Sequence, residues 1–332
     1  MTPNSPSPGT RSPSASATQR VKLIHHGEVF DLFGIYVVNM LLTIVTLGIY
    51  RFWAKTRIRR YLWSHTEFLE DRFEYTGTGK ELLLGFLIVL AFLIVALGAY
   101  TLVFTSIWPG WTTDWKFGLI YQAPLLIASF PLFAIARFRA RRYRLSRSLW
   151  RGIRGAQSGS SSHYGMLSAV CWLLTFLTLG FYWPYMRTRL VAYKLNHTWF
   201  GDRAMTFDGN GDALIGIFAI CWLLTLPTLG LCWFWYRARA LRYYAARTGY
   251  ATLGFEVTIT GGMLMSLTGT NMLLLWFTFG LAYPFVLRRN ASYLCNYLTL
   301  VGDQDFAVIA QSLKPRPTTG EGMAEAFDIG DF

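Results

Sequence analysis

The chain has 332 residues, of which 53% are hydrophobic and 17% aromatic against 15% charged. That balance reverses the composition of a soluble domain of this size, excludes large water-exposed domains and predicts a membrane protein. A formal net charge of +13 would suggest nucleic acid on a polar surface, but here the basic residues adjoin long apolar runs, so nucleic acid is not an expected partner.

In chain order, residues 1–20 are rich in Ser, Pro and Thr without an apolar core, which predicts a disordered tail and not a cleaved signal peptide. Six apolar windows of spanning length follow, near Gly34–Trp53, Leu82–Phe104, Gly118–Ala136, Tyr164–Trp183, Leu214–Trp235 and Met263–Leu287. They predict an all-α polytopic membrane protein of about six transmembrane or re-entrant helices, within a membrane domain over residues 21–313. None has an ionisable residue near its centre, the polar exceptions being Asn39, Gln122 and Asn271, which lowers the expectation of a proton relay. Cys171, Cys221, Cys232 and Cys295 form no Cys-x-x-Cys pair and read as small core residues.

An internal repeat organises these windows. At an offset of 50, Thr178-Leu179-Gly180 falls on Thr228-Leu229-Gly230 and Thr278-Phe279-Gly280, and Thr46-Leu47-Gly48 lies 132 residues before the first. The same offsets align five Arg-x-x-x-Tyr pairs: Arg57 and Tyr61, Arg139 and Tyr143, Arg189 and Tyr193, Arg239 and Tyr243, Arg289 and Tyr293. A spacing of four puts both side chains on one helix face. They read either as an interfacial anchor or as a row that binds an anionic headgroup or solute. Between helices, Phe73-Glu74-Tyr75, Met205-Thr206-Phe207 and Phe255-Glu256-Val257 alternate before glycines and predict short strand-like surface segments.

The run Asn39 to Lys55, with Thr46-Leu47-Gly48-Ile49-Tyr50 inside it, the basic helix through Arg59-Arg60-Tyr61, His65-Thr66 and Phe73-x-Tyr75-x-Gly77-x-Gly79 together resemble the YjgN-like family of bacterial inner-membrane proteins, over about Val21 to Ser312. The resemblance implies a multi-pass protein of the bacterial inner (cytoplasmic) membrane and carries over no activity, cofactor or catalytic residue. Unit two departs from the pattern, with Ser129-Phe130-Pro131 near the place of Thr-Leu-Gly. Its offset exceeds 50 by 32 residues, read as one additional span with its loop.

Two topologies remain open: spans that alternate across the bilayer, or re-entrant units broken near Thr-Leu-Gly or Pro227 that keep every basic helix on the cytoplasmic side. Catalytic signals are scarce. His65 and His197 are equivalent but have no ligand spacing to a cysteine or to His25, His26 or His163, so no metal or other cofactor is expected. The acidic residues Glu67, Glu70, Asp71, Asp202 and Asp208 form no general acid–base pair, and no enzyme is expected. The expected function is transport or a channel; the alternative is a non-catalytic organiser that binds the lipid bilayer, its anionic headgroups or a partner protein. The acidic tail over residues 314–332, with Met323, Phe327 and Ile329 between carboxylates, is the candidate segment for a protein partner.

Overall fold

The computed structural model describes residues 20–109, 115–302 and 309–311. The expectations for the tail before Arg20 and for the acidic C-terminal tail lie outside the described residues. Among those residues the chain forms ten helices and eleven strands.

The strands are β1 (Arg20–Lys22), β2 (Ile24–His25), β3 (Thr66–Phe68), β4 (Asp71–Tyr75), β5 (Ser148–Trp150), β6 (Ile153–Gln157), β7 (Thr198–Phe200), β8 (Arg203–Phe207), β9 (Thr248–Tyr250), β10 (Leu253–Val257) and β11 (Leu298–Val301). All pair antiparallel in one sheet of order β1-β11-β10-β9-β8-β7-β6-β5-β4-β3-β2. Its two edge strands, β1 and β2, are separated in the chain by Leu23 alone, so the sheet curls into a nearly closed barrel. The all-α expectation is thereby corrected. Local periodicity revealed single strands, but pairing between segments far apart in sequence has no local signature.

The barrel interior is filled. Phe68, Trp150, Phe200 and Tyr250, each the last residue of the first strand of a hairpin, are in ring contact in succession at 5.3, 5.9 and 6.1 Å. One apolar cluster joins Ile153 of β6 to Leu300 of β11, five strands away around the sheet, together with Ile309. Ile309 and Ala310 press on Gly201, while the Gln311 amide donates to Gly152 O at 2.7 Å, so this segment lies across two hairpin turns.

The helices are α1 (Val29–Val45), α2 (Arg51–Ser64), α3 (Gly79–Ile107), α4 (Trp115–Arg147), α5 (Ser161–Leu177), α6 (Trp183–Asn196), α7 (Asp212–Leu224), α8 (Trp233–Ala246), α9 (Gly261–Phe277) and α10 (Tyr283–Tyr297). Each consecutive pair leaves the barrel at the end of one strand and returns at the start of that strand's neighbour: β2 to β3, β4 to β5, β6 to β7, β8 to β9 and β10 to β11. All five pairs therefore begin and end on one rim, and the hairpin turns line the other.

That path also corrects the count of six spans. Among the described residues only α3 and α4 are long and apolar enough to cross a membrane. Four of the six windows were counted through a Thr-Leu-Gly (once Thr-Phe-Gly) turn and so combine parts of two helices. The 32 additional residues of unit two form no separate span with its loop; they lengthen both helices of the pair to spanning length, α3 having 29 residues and α4 33.

Adjacent pairs interlock through small residues. A Cβ at Gly79, Gly211 or Gly261 would stand 2.9, 2.8 or 2.8 Å from the Cα of Trp53, Tyr185 or Trp235 on the preceding pair. Glycine permits this approach because it has no side chain. The circle closes between α10 and α1, where Arg288 Nε donates to Gly27 O at 2.9 Å and Phe33 meets Phe285 at 6.1 Å.

Candidate membrane-facing site

The four short pairs turn in the same way. The threonine hydroxyl donates back to the first helix, as from Thr46 to Leu42 O at 2.7 Å, and accepts from the second, as from the Tyr50 N–H at 2.9 Å. Thr178, Thr228 and Thr278 make the equivalent pair of bonds. The glycine then takes positive φ, from 81° to 93° across the four turns, and its N–H bonds a carbonyl five residues back. This satisfies helix-end carbonyls that would otherwise be orphaned.

The central residue of each turn is the unusual one. Leu47, Leu179, Leu229 and Phe279 hold φ of 51°, 49°, 49° and 50°, a left-handed conformation that costs a non-glycine residue on the order of 1–2 kcal/mol. They are also 94%, 80%, 92% and 96% exposed. Val45, Phe176, Leu226 and Trp276 beside them are exposed as well. A large apolar side chain held in a strained conformation at the end of a hairpin is explained by an apolar surrounding.

The sequence-predicted pairs lie at fixed heights above these tips. Arg57, Arg189, Arg239 and Arg289 each follow the tip residue by ten positions, a rise of about 15 Å along a helix. All four are exposed, as is Arg139 of the long pair. Arg57 stacks over Tyr50 and Arg189 over Tyr182, at 5.6 and 5.8 Å, while Arg139 donates to Ser161 and Arg289 to Thr270. Unit one departs from the pattern, since Arg51 lies only one helical turn beyond Leu47, against the rings of Phe52 and Phe86.

The tyrosines fasten the rim. Tyr61 donates to Glu28 O at 2.9 Å, Tyr143 bonds the Glu81 carboxylate, and Tyr193 and Tyr243 each both donate to and accept from one backbone residue, Ser160 and Asn210. Each of these bonds joins the second helix to the start of the first. The Tyr293 hydroxyl is buried without a hydrogen-bond partner among the described residues. His65 and His197 serve the same rim, stacking on Tyr61 and Tyr193 while their Nδ1 atoms bond the carbonyls of those tyrosines.

Among the described residues, three clefts that combine arginine with apolar walls stand out. One runs along α1 and α2 between Ile35, Val38, Arg57, Arg60 and Tyr61. A second lies between α9 and α10, with Leu267, Arg289 and Tyr293. The repeated Arg and Tyr thus flank an open groove in both units. The third, of about 600 Å³, lies among α6, α7 and α8, and its arginines are Arg187 and Arg237. Sequence reasoning did not identify this last cleft, although the 50-residue offset aligns Trp183 with Trp233 and Arg187 with Arg237. Among the described residues no three His, Cys, Asp or Glu side chains gather where they could hold a metal ion.

Comparison with known proteins gives a family and no solved relative. Inner membrane protein YjgN of Salmonella typhimurium is 39% identical over 75 residues, 23% of this chain and 19% of that protein. Inner membrane protein YjgN of Escherichia coli strain K12 is 48% identical over 56 residues, 17% of this chain and 14% of that protein. The match spans less than a fifth of the length of these curated relatives. No solved structure matches. The family described as bacterial protein of unknown function, DUF898, matches residues 20–234 and 220–326, and the chain belongs to it.

Proposed function

We propose that this chain is a non-catalytic protein of the bacterial inner membrane that organises anionic lipid around a β-barrel seated at one membrane surface. In this reading α3 and α4 cross the bilayer as a helical hairpin, and the four short pairs dip their tips from the same side. The observation that carries it is the set of four strained, exposed apolar tips, each with an arginine about 15 Å above, half of a hydrocarbon core of about 30 Å. An arginine at that height lies at headgroup depth, where it interacts favourably with an anionic surface. The inner-membrane names of the relatives support the location. The apolar cluster that joins β6 to β11, with the aromatic rings in contact at the hairpin ends, favours organisation over transport, because a conduit through the barrel would need water there.

The test places a cysteine at Leu179 or Leu229, labels it with an environment-sensitive fluorophore and reconstitutes the full chain in vesicles of phosphatidylglycerol and phosphatidylcholine. Lipids brominated at mid-chain should quench the label strongly; water-like emission without quenching would overturn tip insertion. The same vesicles should pass ionic and neutral solutes no faster than empty ones, and protein-dependent flux would restore the transport reading.

A further inference from the structure

The cleft among α6, α7 and α8 has an order along its length. Gly180 lies at the tip end; Trp183, Phe218 and Trp233 form the middle; Arg187 and Arg237 follow one turn farther along their helices, and Tyr244 lies toward the rim. Arg187 and Arg237 each follow their tip residue by eight positions, about 12 Å of rise, so both guanidinium groups come to the same height. The cleft is therefore apolar at its deep end and cationic at its shallow end, the same polarity as a phospholipid in the leaflet that the tips would enter.

Two further observations indicate an occupant. Arg187 stacks over Trp183 at 5.7 Å, and neither it nor Arg237 forms an ion pair among the described residues. Tyr236, 5% exposed, also lines the cleft, and its hydroxyl has no hydrogen-bond partner among the described residues. Buried hydroxyls are nearly always hydrogen-bonded, so an unpaired one beside two uncompensated arginines marks where an acceptor belongs. A volume of about 600 Å³ lies within the range of ligand-binding pockets.

We infer that this cleft binds one anionic phospholipid, its phosphate held between Arg187 and Arg237 and one acyl chain lying along Trp183, Phe218 and Trp233. The Tyr236 hydroxyl donates to an oxygen of the phosphate or of the ester below it. Arginine suits this role because its planar fork of donors matches phosphate oxygens in pairs. The inference rests on the membrane seating proposed above, but it concerns a stoichiometric site and not general attraction to the surface.

Native mass spectrometry of the full chain, released from detergent after exchange with phosphatidylglycerol or phosphatidylcholine, tests it. The expected result is one phosphatidylglycerol per chain, retained at least tenfold better than phosphatidylcholine. The double variant Arg187→Gln/Arg237→Gln should lose that preference, as should Leu241→Trp, which fills the cleft and leaves both arginines. The control Arg20→Gln/Arg72→Gln, which removes two charges from barrel strands β1 and β4, should keep it. Tyr236→Phe should retain the lipid several-fold less well. Equal retention of both lipids by the unaltered chain, or unchanged retention by the folded double and Leu241→Trp variants, would overturn the site. Competition by glycerol phosphate as effective as that of the whole lipid would overturn the lipid assignment in favour of a soluble phosphate. Tip quenching that persists while the bound lipid is absent would sink this inference alone and leave the membrane seating intact.

Discussion

The pair α3–α4 and the four short pairs arise from the same barrel rim, yet they end differently. The short pairs reverse after 13 to 17 residues at a threonine-stitched turn. The long pair carries Ser129-Phe130-Pro131 inside α4, where no reversal occurs, and runs on to helices of 29 and 33 residues. Helices of these lengths rise about 43 and 50 Å, enough to cross a hydrocarbon core of about 30 Å, while a 17-residue helix rises about 26 Å and begins at the rim. One scaffold thus sets the reach of each pair by helix length, and the tight turn is what keeps a unit short.

The sharpest way to break this comparison is to charge the long pair at its midpoint. Ile94→Asp with Val95→Asp puts two carboxylates at the centre of α3, on side chains that are exposed. Each costs about 2.5–3.5 kcal/mol in the middle of a bilayer. The variant should disappear from carbonate-washed membranes, whereas Leu229→Asp, at a tip, should reduce retention far less because α3 and α4 still hold the chain. Equal retention of the two variants would mean that the pairs do not differ in depth.

A smaller effect separates the short pairs from one another. Tyr243 makes two hydrogen bonds to Asn210, whereas the Tyr293 hydroxyl, at the equivalent place, makes none among the described residues. Tyr243→Phe should therefore destabilise the protein by about 1–3 kcal/mol, and Tyr293→Phe should be neutral or slightly stabilising. Thermal unfolding of both variants in one detergent measures the difference. Identical shifts would show that the clasp contributes nothing.

How much of this the sequence revealed depends on the range of the interaction. The Thr-Leu-Gly triplets were visible at once, but as the ends of apolar runs. That the units break there was one of two open readings, and nothing local decided for it, because the left-handed position falls on Leu47, Leu179, Leu229 and Phe279, where a side chain argues against a tight turn. The strand Phe73-Glu74-Tyr75 was legible from its alternation. Its partner Ser148–Trp150 was not, since that pairing spans more than seventy residues and the paired strand has only three residues in which to alternate. The arginines were recognised as a series, and their exposure agrees with either of the readings that the series allowed. The tyrosines carried a signal that was present and unused. Tyr61, Tyr193 and Tyr243 each lie 33 residues after the backbone group they bond, a recurrence that identifies a clasp.

The smallest effect concerns the seam where the barrel closes. His25 in β2 bonds Thr66 of β3 through Nδ1 at 3.0 Å, and its Nε2, buried against Gly27, has no partner among the described residues. Burial, helped by the positive surroundings of His65, Arg288 and His26, pushes its pKa from the usual 6.5 down to about 4. The folded chain therefore holds His25 neutral over a range in which the unfolded chain protonates it. The stability this gives is complete above pH 6.5 and is lost as pH falls from there toward 4. Because the ring is only partly buried, solvent screens the effect, and the seam should loosen gradually. Hydrogen exchange of the β2 and β3 amides should accelerate between pH 7 and 5, after correction for the intrinsic rate, more than that of β7 and β8. His25→Asn, which keeps a group able to bond Thr66 and removes the titration, should flatten that difference. An unchanged pH dependence in His25→Asn would place the acid sensitivity of the seam in another group.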